Sequence, residues 1–215
     1  SAGRGGRAFG QTLLAGKTLA LVFQKPSVRT RVSFEVAARQ LGGSALYLGP
    51  EDAQLDTREP IKDVARTLSR YVDGIVTRTF GHAQAEEFAR YASVPVINGL
   101  SELHHPCQAV ADVLTIQEQF GRLNGVTIGY IGDGNNVLHS LAQAAARLGS
   151  RLQVATPPTH RPEKAIWANA AASARAHGGS LGWSADPRAA AKGADVLYTD
   201  VWTSMGQERE RRARQ

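Results

Sequence analysis

The chain has 215 residues, 42 % of them hydrophobic, enough to bury the cores of two small domains. Its 25 lysines and arginines outnumber 19 aspartates and glutamates for a net charge of +6, but the arginines are scattered and aromatics reach only 7 %, which argues against nucleic acid as a partner. No stretch approaches 18 consecutive apolar residues, no secretory signal opens the sequence, and the single Cys107 rules out an intramolecular disulfide or a zinc cluster, so a reducing cytoplasm is the expected setting.

The first apolar run, 18–23, reads as a strand that Pro26 breaks. Ser27 can cap a following helix, in which Val32, Phe34, Val36, Ala37 and Leu41 recur at helical spacing until Gly42-Gly43 stops them. Ser27-Val28-Arg29-Thr30-Arg31 therefore crowds two guanidiniums and two hydroxyls into a first turn, beside free backbone N–H groups and the positive end of the dipole. That combination suits a phosphate-sized dianion, although a capped helix with solvated arginines has the same pattern.

Further strands are expected at 44–48, 74–77, 94–98, 126–131, 152–155 and 196–199. Helices are expected at 61–71, 83–91, 106–120, 137–148 and 162–177. The alternation predicts an α/β chain with parallel sheets, helices on both faces and no internal repeat. Arg78 follows the 74–77 strand, and His104-His105-Pro106-Cys107-Gln108 follows the strand at 94–98, with Pro106 placed for a first helical position. Strand C-termini share one edge in a parallel sheet, so donors distant in sequence can converge. A lone histidine at a helix start is otherwise a cap or a supporting residue. The helix at 106–120 is expected to bridge a domain 1–121 and a domain 122–215.

The loop Gly132-Asp133-Gly134-Asn135-Asn136 invites comparison with a dinucleotide fingerprint. It lacks the third glycine, where Val137 stands, and the strand at 152–155 runs into Thr156-Pro157 with no acidic residue for a ribose, so an oxidoreductase reading fails. Gly134 and Asn135 are expected to be turn residues that tolerate unusual dihedrals. Cys107 is expected to be a small packed side chain, because no base is fixed beside it by motif. The arginines at 209, 211, 212 and 214 read as one solvated helical stretch.

The ordered series SVRTR with SFE, Gln54-Leu55, LSRYVD at 68–73, RTF at 78–80, VPVINGLSELHHPCQAVADVLTI, IGDGNN at 131–136 and DVWTSMGQE at 200–208 resembles the carbamoyltransferase family, and within it the ornithine carbamoyltransferases. Ser-x-Arg-Thr-Arg and His-Pro-x-Gln are shared with the aspartate and putrescine enzymes; Asp-Val-Trp-x-Ser-Met-Gly is the discriminating segment. The resemblance implies two doubly wound parallel-sheet domains, carbamoyl phosphate in the first and the amino acid in the second, with no cofactor and no metal.

By that resemblance Ser27, Val28, Arg29 and Thr30 hold the phosphate, and Thr30, Arg78, His105 and Gln108 surround the carbamoyl group. Gln54 reaches into a neighbouring subunit's site, implying a homotrimer. Asn136, Asp200, Ser204 and Met205 are implied in binding ornithine, with Asp200 facing its α-ammonium. The implied reaction gives L-citrulline and phosphate. A carbamoyltransferase for another amine such as putrescine, or a non-catalytic carbamoyl phosphate-binding fragment, is the alternative. Two departures stand out: Asp56-Thr57-Arg58 follows the Gln-Leu pair, where the family has Gly-Arg-Gly or similar, and both the opening helix and the His-Cys-Leu-Pro segment are missing. The second domain is therefore expected to be incomplete.

Overall fold

The computed structural model describes residues 13–55 and 57–200. Contacts divide the chain into two compact units, the first ending at Glu102 and the second beginning at Leu103.

In the first unit, β1 (Thr18–Phe23), β2 (Ser44–Leu48), β3 (Gly74–Arg78) and β4 (Val96–Leu100) form one sheet in the order β2-β1-β3-β4, every neighbouring pair parallel. Helices α1 (Val28–Gln40), α2 (Pro50–Ala53), α3 (Ile61–Leu68) and α4 (His82–Tyr91) connect them. The run Leu-Ala-Leu-Val-Phe in β1 is apolar on both sides because both faces of the sheet are covered. Ala20, Val22 and Ile75 pack with Ile61, Ala65 and Phe88 of α3 and α4. Leu21, Phe23 and Val76 point the other way, against Phe34 of α1 and Tyr47 of β2.

The second unit holds α5 (Pro106–Phe120), β5 (Thr127–Ile131), α6 (Asn136–Arg147), β6 (Arg151–Ala155), α7 (Lys164–Ala176), β7 (Ser180–Ser184), α8 (Pro187–Ala191) and β8 (Val196–Thr199), with a 3-10 turn at Pro158–His160. Its sheet is again wholly parallel, in the order β7-β6-β5-β8. Ile128, Tyr130, Leu152 and Val154 bury against Leu138, Leu141, Ala142 and Ala145 of α6 and against Ala170 and Ala174 of α7. Helix α5, expected to bridge two domains, packs on α6 and belongs by its contacts to the second unit. Its C-terminus lies where the sequence puts it, at Gly121, whose φ of +68° is left-handed.

Both sheets reverse direction once. From β1 the chain steps outward to β2 and then returns to β3 on the opposite side; from β5 it steps to β6 and β7 and returns to β8. A parallel sheet opens a crevice at the carboxyl ends of the two strands flanking such a reversal. Those strands are β1 and β3 in one unit, and β5 and β8 in the other.

Strand β7 and helices α2 and α8 were not legible in the sequence. Gly182 interrupts the apolar pattern of β7, with the Gln153 side-chain amide of the neighbouring β6 lying over it. The helices α2 and α8 are only 4 and 5 residues long, too short to show a period.

Candidate active site

At the carboxyl end of β1 and β3, Phe23 and Arg78 are register partners, so the loop after one strand lies beside the last residue of the other. Ser27 caps α1: its Oγ accepts from the Thr30 N–H at 3.4 Å, and its hydroxyl donates to Thr30 Oγ1 at 3.0 Å. Arg78 Nη1 also reaches Thr30 Oγ1, at 3.4 Å. Ser27, Thr30 and Arg78 are thus brought together, with Val28 at the first position of α1 and 80 % exposed. Arg29 lies exposed one residue further on and makes no ion pair among the described residues. Arg31 is turned elsewhere, bonded to Glu35 Oε1 at 2.8 Å and lying over the Tyr47 ring at 3.8 Å.

The electrostatics here are unusual. Arg78 is only 3 % exposed, no carboxylate pairs with it among the described residues, and its buried Nε has no hydrogen-bond partner among them. Burial first, and then the charge of Arg29, lower its affinity for the proton. Lys25 is lowered likewise, by burial and then by Arg78, with Glu102 partly offsetting. Lys25 sits 4.7 Å above the Phe80 ring centroid. A buried, unpaired guanidinium costs several kcal/mol, roughly 3 to 5 by comparison with broken buried pairs. Two further cations beside it add repulsion, and no acidic residue occupies the first turn of α1 to relieve it. An anion offsets all of these terms together. Lys25 was overlooked in the sequence; the signal available was its place two residues before Ser27 at a strand end.

Gln54 is not brought to this cluster. It is exposed, takes a left-handed φ of 33° at the end of α2, and donates from Nε2 to the Glu51 carbonyl at 3.0 Å. Asp56, part of the departure from the family pattern, lies outside the described residues.

In the second unit His105 is the N-cap residue of α5, with Pro106 in the first turn. Its side chain makes no capping bond; instead its backbone N–H donates to Ser140 Oγ at 2.8 Å. One turn on, Gln108 Nε2 donates to Asp112 Oδ1 at 2.9 Å. The segment carrying His105 is tied to α6 at a second point. Buried His139 donates from Nδ1 to the Leu103 carbonyl at 2.9 Å, and its Nε2 accepts from the Glu163 N–H at 2.9 Å. Burial holds this imidazole below its ordinary range, although Leu103, Glu163 and Asp133 pull the other way, so the neutral tautomer with the proton on Nδ1 satisfies both bonds. The His104 ring stands edge-on to it with centroids 6.2 Å apart. Neither His139 nor Ser140 was singled out from sequence, since both fall at core-facing positions of an ordinary amphipathic helix. Burial pushes the Cys107 thiol up, away from the thiolate a nucleophile needs.

At the other reversal, Ile131 and Thr199 are register partners, which sets the 132–136 loop beside Asp200. Asn135 donates from Nδ2 to Asp200 Oδ2 at 2.8 Å, while its Oδ1 accepts from the Val137 and Leu138 N–H groups and caps α6. This corrects the expectation of a turn residue with unusual dihedrals: Asn135 is extended, at φ −100° and ψ −173°, and is the asparagine that holds Asp200. Asn136 occupies the first turn of α6. Gly134 is likewise needed for closeness, because a β-carbon there would collide with the backbone of His160 and Arg161. Ser204 and Met205 lie outside the described residues. No cluster of three metal-ligating side chains occurs among the described residues, and no helix among them is long and apolar enough to cross a membrane.

Comparison with known proteins finds two domain types in order along the chain, with a boundary that leaves nearly all of α5 in the first. The carbamoyl-P binding domain of the aspartate/ornithine carbamoyltransferases matches residues 5–118, and their Asp/Orn binding domain matches residues 124–215. An ornithine carbamoyltransferase of Pyrococcus horikoshii is 57 % identical over 92 % of this chain and 62 % of its own length. Among solved structures, the ornithine carbamoyltransferase of Pyrococcus furiosus superposes with a TM-score of 0.90 at 55 % identity, over 94 % of this chain and 64 % of its own. The anabolic enzyme of Campylobacter jejuni gives 0.90 at 42 % identity, over 94 % and 67 %. The chain therefore spans a little under two thirds of the length of the first two of these relatives. With both domain types matched in order along nearly its whole length, this chain belongs to the aspartate/ornithine carbamoyltransferase family.

Proposed function

We propose that the protein transfers the carbamoyl group of carbamoyl phosphate to the δ-amine of L-ornithine, releasing L-citrulline and phosphate, in arginine biosynthesis. The observation that carries the reading is the buried Arg78, without a carboxylate and with its Nε unbonded among the described residues, beside the capped first turn of α1. Ser27, Arg29, Thr30, Arg78 and the Val28 N–H take the phosphate, and these cations accept the dianion as it departs. His105 and Gln108 are assigned to the carbamoyl group, and Thr30, Arg78 and His105 to catalysis, polarising the carbonyl and stabilising the oxyanion as the neutral amine attacks. Fixed donors of that kind are each worth about 2.7 to 4 kcal/mol.

Asn136, Asp200, Ser204 and Met205 are assigned to ornithine, with Asp200 as counter-charge of the α-ammonium. Relatives named ornithine carbamoyltransferase at 57 % identity support this acceptor over aspartate or putrescine. The working form is a cytoplasmic homotrimer with shared active sites, to which Gln54 contributes across the subunit boundary; its exposed, left-handed position at a helix end is compatible with that role. Domains 1–121 and 122–215 divide the two substrates.

Calorimetric titration with carbamoyl phosphate, followed by a citrulline assay offering ornithine, putrescine and aspartate in turn, tests the proposal. Carbamoyl phosphate is expected to bind and ornithine alone to be carbamoylated. A chain with no affinity for carbamoyl phosphate, or one that prefers another acceptor, overturns it.

A further inference from the structure

Asp112, in the second turn of α5, receives two hydrogen bonds from different elements. Gln108 Nε2 donates to Oδ1 at 2.9 Å, and the Tyr198 hydroxyl of β8 donates to Oδ2 at 2.9 Å. A carboxylate can only accept, so it dictates which end of the Gln108 amide faces it. The NH2 end is held by Asp112. Oε1 is therefore turned the other way, and it takes no hydrogen bond among the described residues. The carboxylate itself cannot swing: Tyr198 pins its far oxygen, and Tyr198 is in turn stacked on buried Tyr130 with ring centroids 5.5 Å apart. Burial, and then the negative charge of Asp112, push the Tyr198 hydroxyl up, so it stays a donor across the working pH range.

We propose that Asp112 is a positioning residue that fixes the Gln108 amide with Oε1 presented as an acceptor, and that this orientation makes the site select a carbamoyl group over an acetyl group. The proposal rests on the assignment of Gln108 to the carbamoyl group. Carbamoyl and acetyl phosphate share the phosphate and the carbonyl; they differ in NH2 against CH3. An Oε1 held in place accepts from NH2 and is left unpaired by CH3, which is the strongest kind of discrimination a small site can build. A freely flipping amide turns its own NH2 inward part of the time and loses that contrast. Asp112 acts here through Gln108, without touching substrate.

The test measures dissociation constants of the 215-residue chain for carbamoyl phosphate, acetyl phosphate and inorganic phosphate. The wild type is expected to favour carbamoyl over acetyl phosphate by about tenfold or more, the equivalent of one hydrogen bond. Asp112→Asn offers Gln108 either a donor or an acceptor, so the ratio should fall to about threefold or less, with inorganic phosphate binding unchanged. In a Gln108→Ala background the same Asp112→Asn change should leave the ratio where it is. A wild type that binds both acyl phosphates equally overturns the proposal while the phosphate cradle stands, and that readout needs no variant to fold. A folded Asp112→Asn that keeps its ratio, or one that still changes it without Gln108, overturns it as well. A wild type that binds none of the three overturns the functional reading itself.

Discussion

Asn135 uses both ends of one side chain: its Oδ1 caps α6 while its Nδ2 holds Asp200 Oδ2 at 2.8 Å, across 65 residues of sequence. The two tasks can be separated. Asn135→Ser keeps a capping oxygen and removes the donor to Asp200, so its melting temperature should stay near wild type while ornithine affinity falls. Asn135→Ala loses both and should cost about 1 kcal/mol of stability besides. Equal ornithine affinity in wild type and Asn135→Ser, measured by titration in the presence of carbamoyl phosphate, would show that the contact does not serve the amino-acid site.

Arg78 should oppose stability to function. Arg78→Met removes an unpaired buried guanidinium and keeps most of its volume, so the ligand-free chain should gain roughly 1 to 4 kcal/mol. Phosphate and carbamoyl phosphate binding should be lost. Arg29→Ala, at an exposed position, should leave stability alone and weaken carbamoyl phosphate by about 1.5 to 3 kcal/mol, with ornithine far less affected. Thermal melts in phosphate-free buffer, with and without ligand, separate the cases. A less stable Arg78→Met that still gains stability on adding phosphate would sink the cradle.

His139 gives the fold a dependence on mild acid. Burial keeps the native imidazole below the ordinary value of 6.5, whereas the unfolded chain takes up its proton near that value. Below about pH 6.5 the unfolded state therefore binds more protons, and stability declines as pH falls from there towards the native pKa; above it the contribution is flat. Asp73, lowered by its bond to Lys17, and Glu163, lowered by capping α7, act only further down, in the carboxylate range. Urea unfolding between pH 7.5 and 5.5 should show a slope that His139→Gln flattens. An identical slope in the variant would place the proton elsewhere.

Gly134→Ala should destabilise the second unit by about 1 to 3 kcal/mol, because the added methyl meets backbone and cannot be accommodated by a rotamer change. It should also displace the 158–160 turn from the 132–136 loop, where the Gly134 N–H now donates to the His160 carbonyl at 2.9 Å. A melting temperature equal to that of wild type would contradict the close approach.

The scaffold was legible because its signals are local. Strands at 18–23, 44–48 and 196–199 and the helix at 106–120 end where the sequence says, each closed by a polar or glycine break that no tertiary contact overrides. The placement of Ser27 and His105 at helix starts and of Arg78 at a strand's carboxyl end was legible for the same reason. What escaped depends on neighbours remote in sequence. Asn135 makes sense only beside Asp200, and Lys25 matters only once Arg78 is known to be buried without a carboxylate. Residues 201–215, with Ser204, Met205 and the arginine-rich stretch, lie outside the described residues.

The second sheet's reversal also gives its strand pairings very different sequence spans. β5 pairs first along the chain with β6, about 24 residues on, but its other neighbour, β8, begins with Val196 opposite Ile128, a separation of 68. Closing so long a span is entropically slow and is rewarded only once α6, β6, α7 and β7 are already in place. Asp200 follows that last strand directly. The carboxylate assigned to the ornithine ammonium is therefore expected to be placed late, after the apolar core that supports it. A chain that stalls before β8 docks should keep most of its helices but leave Asp200 unplaced, so on the proposed assignment ornithine-dependent protection from proteolysis should report the docking of β8.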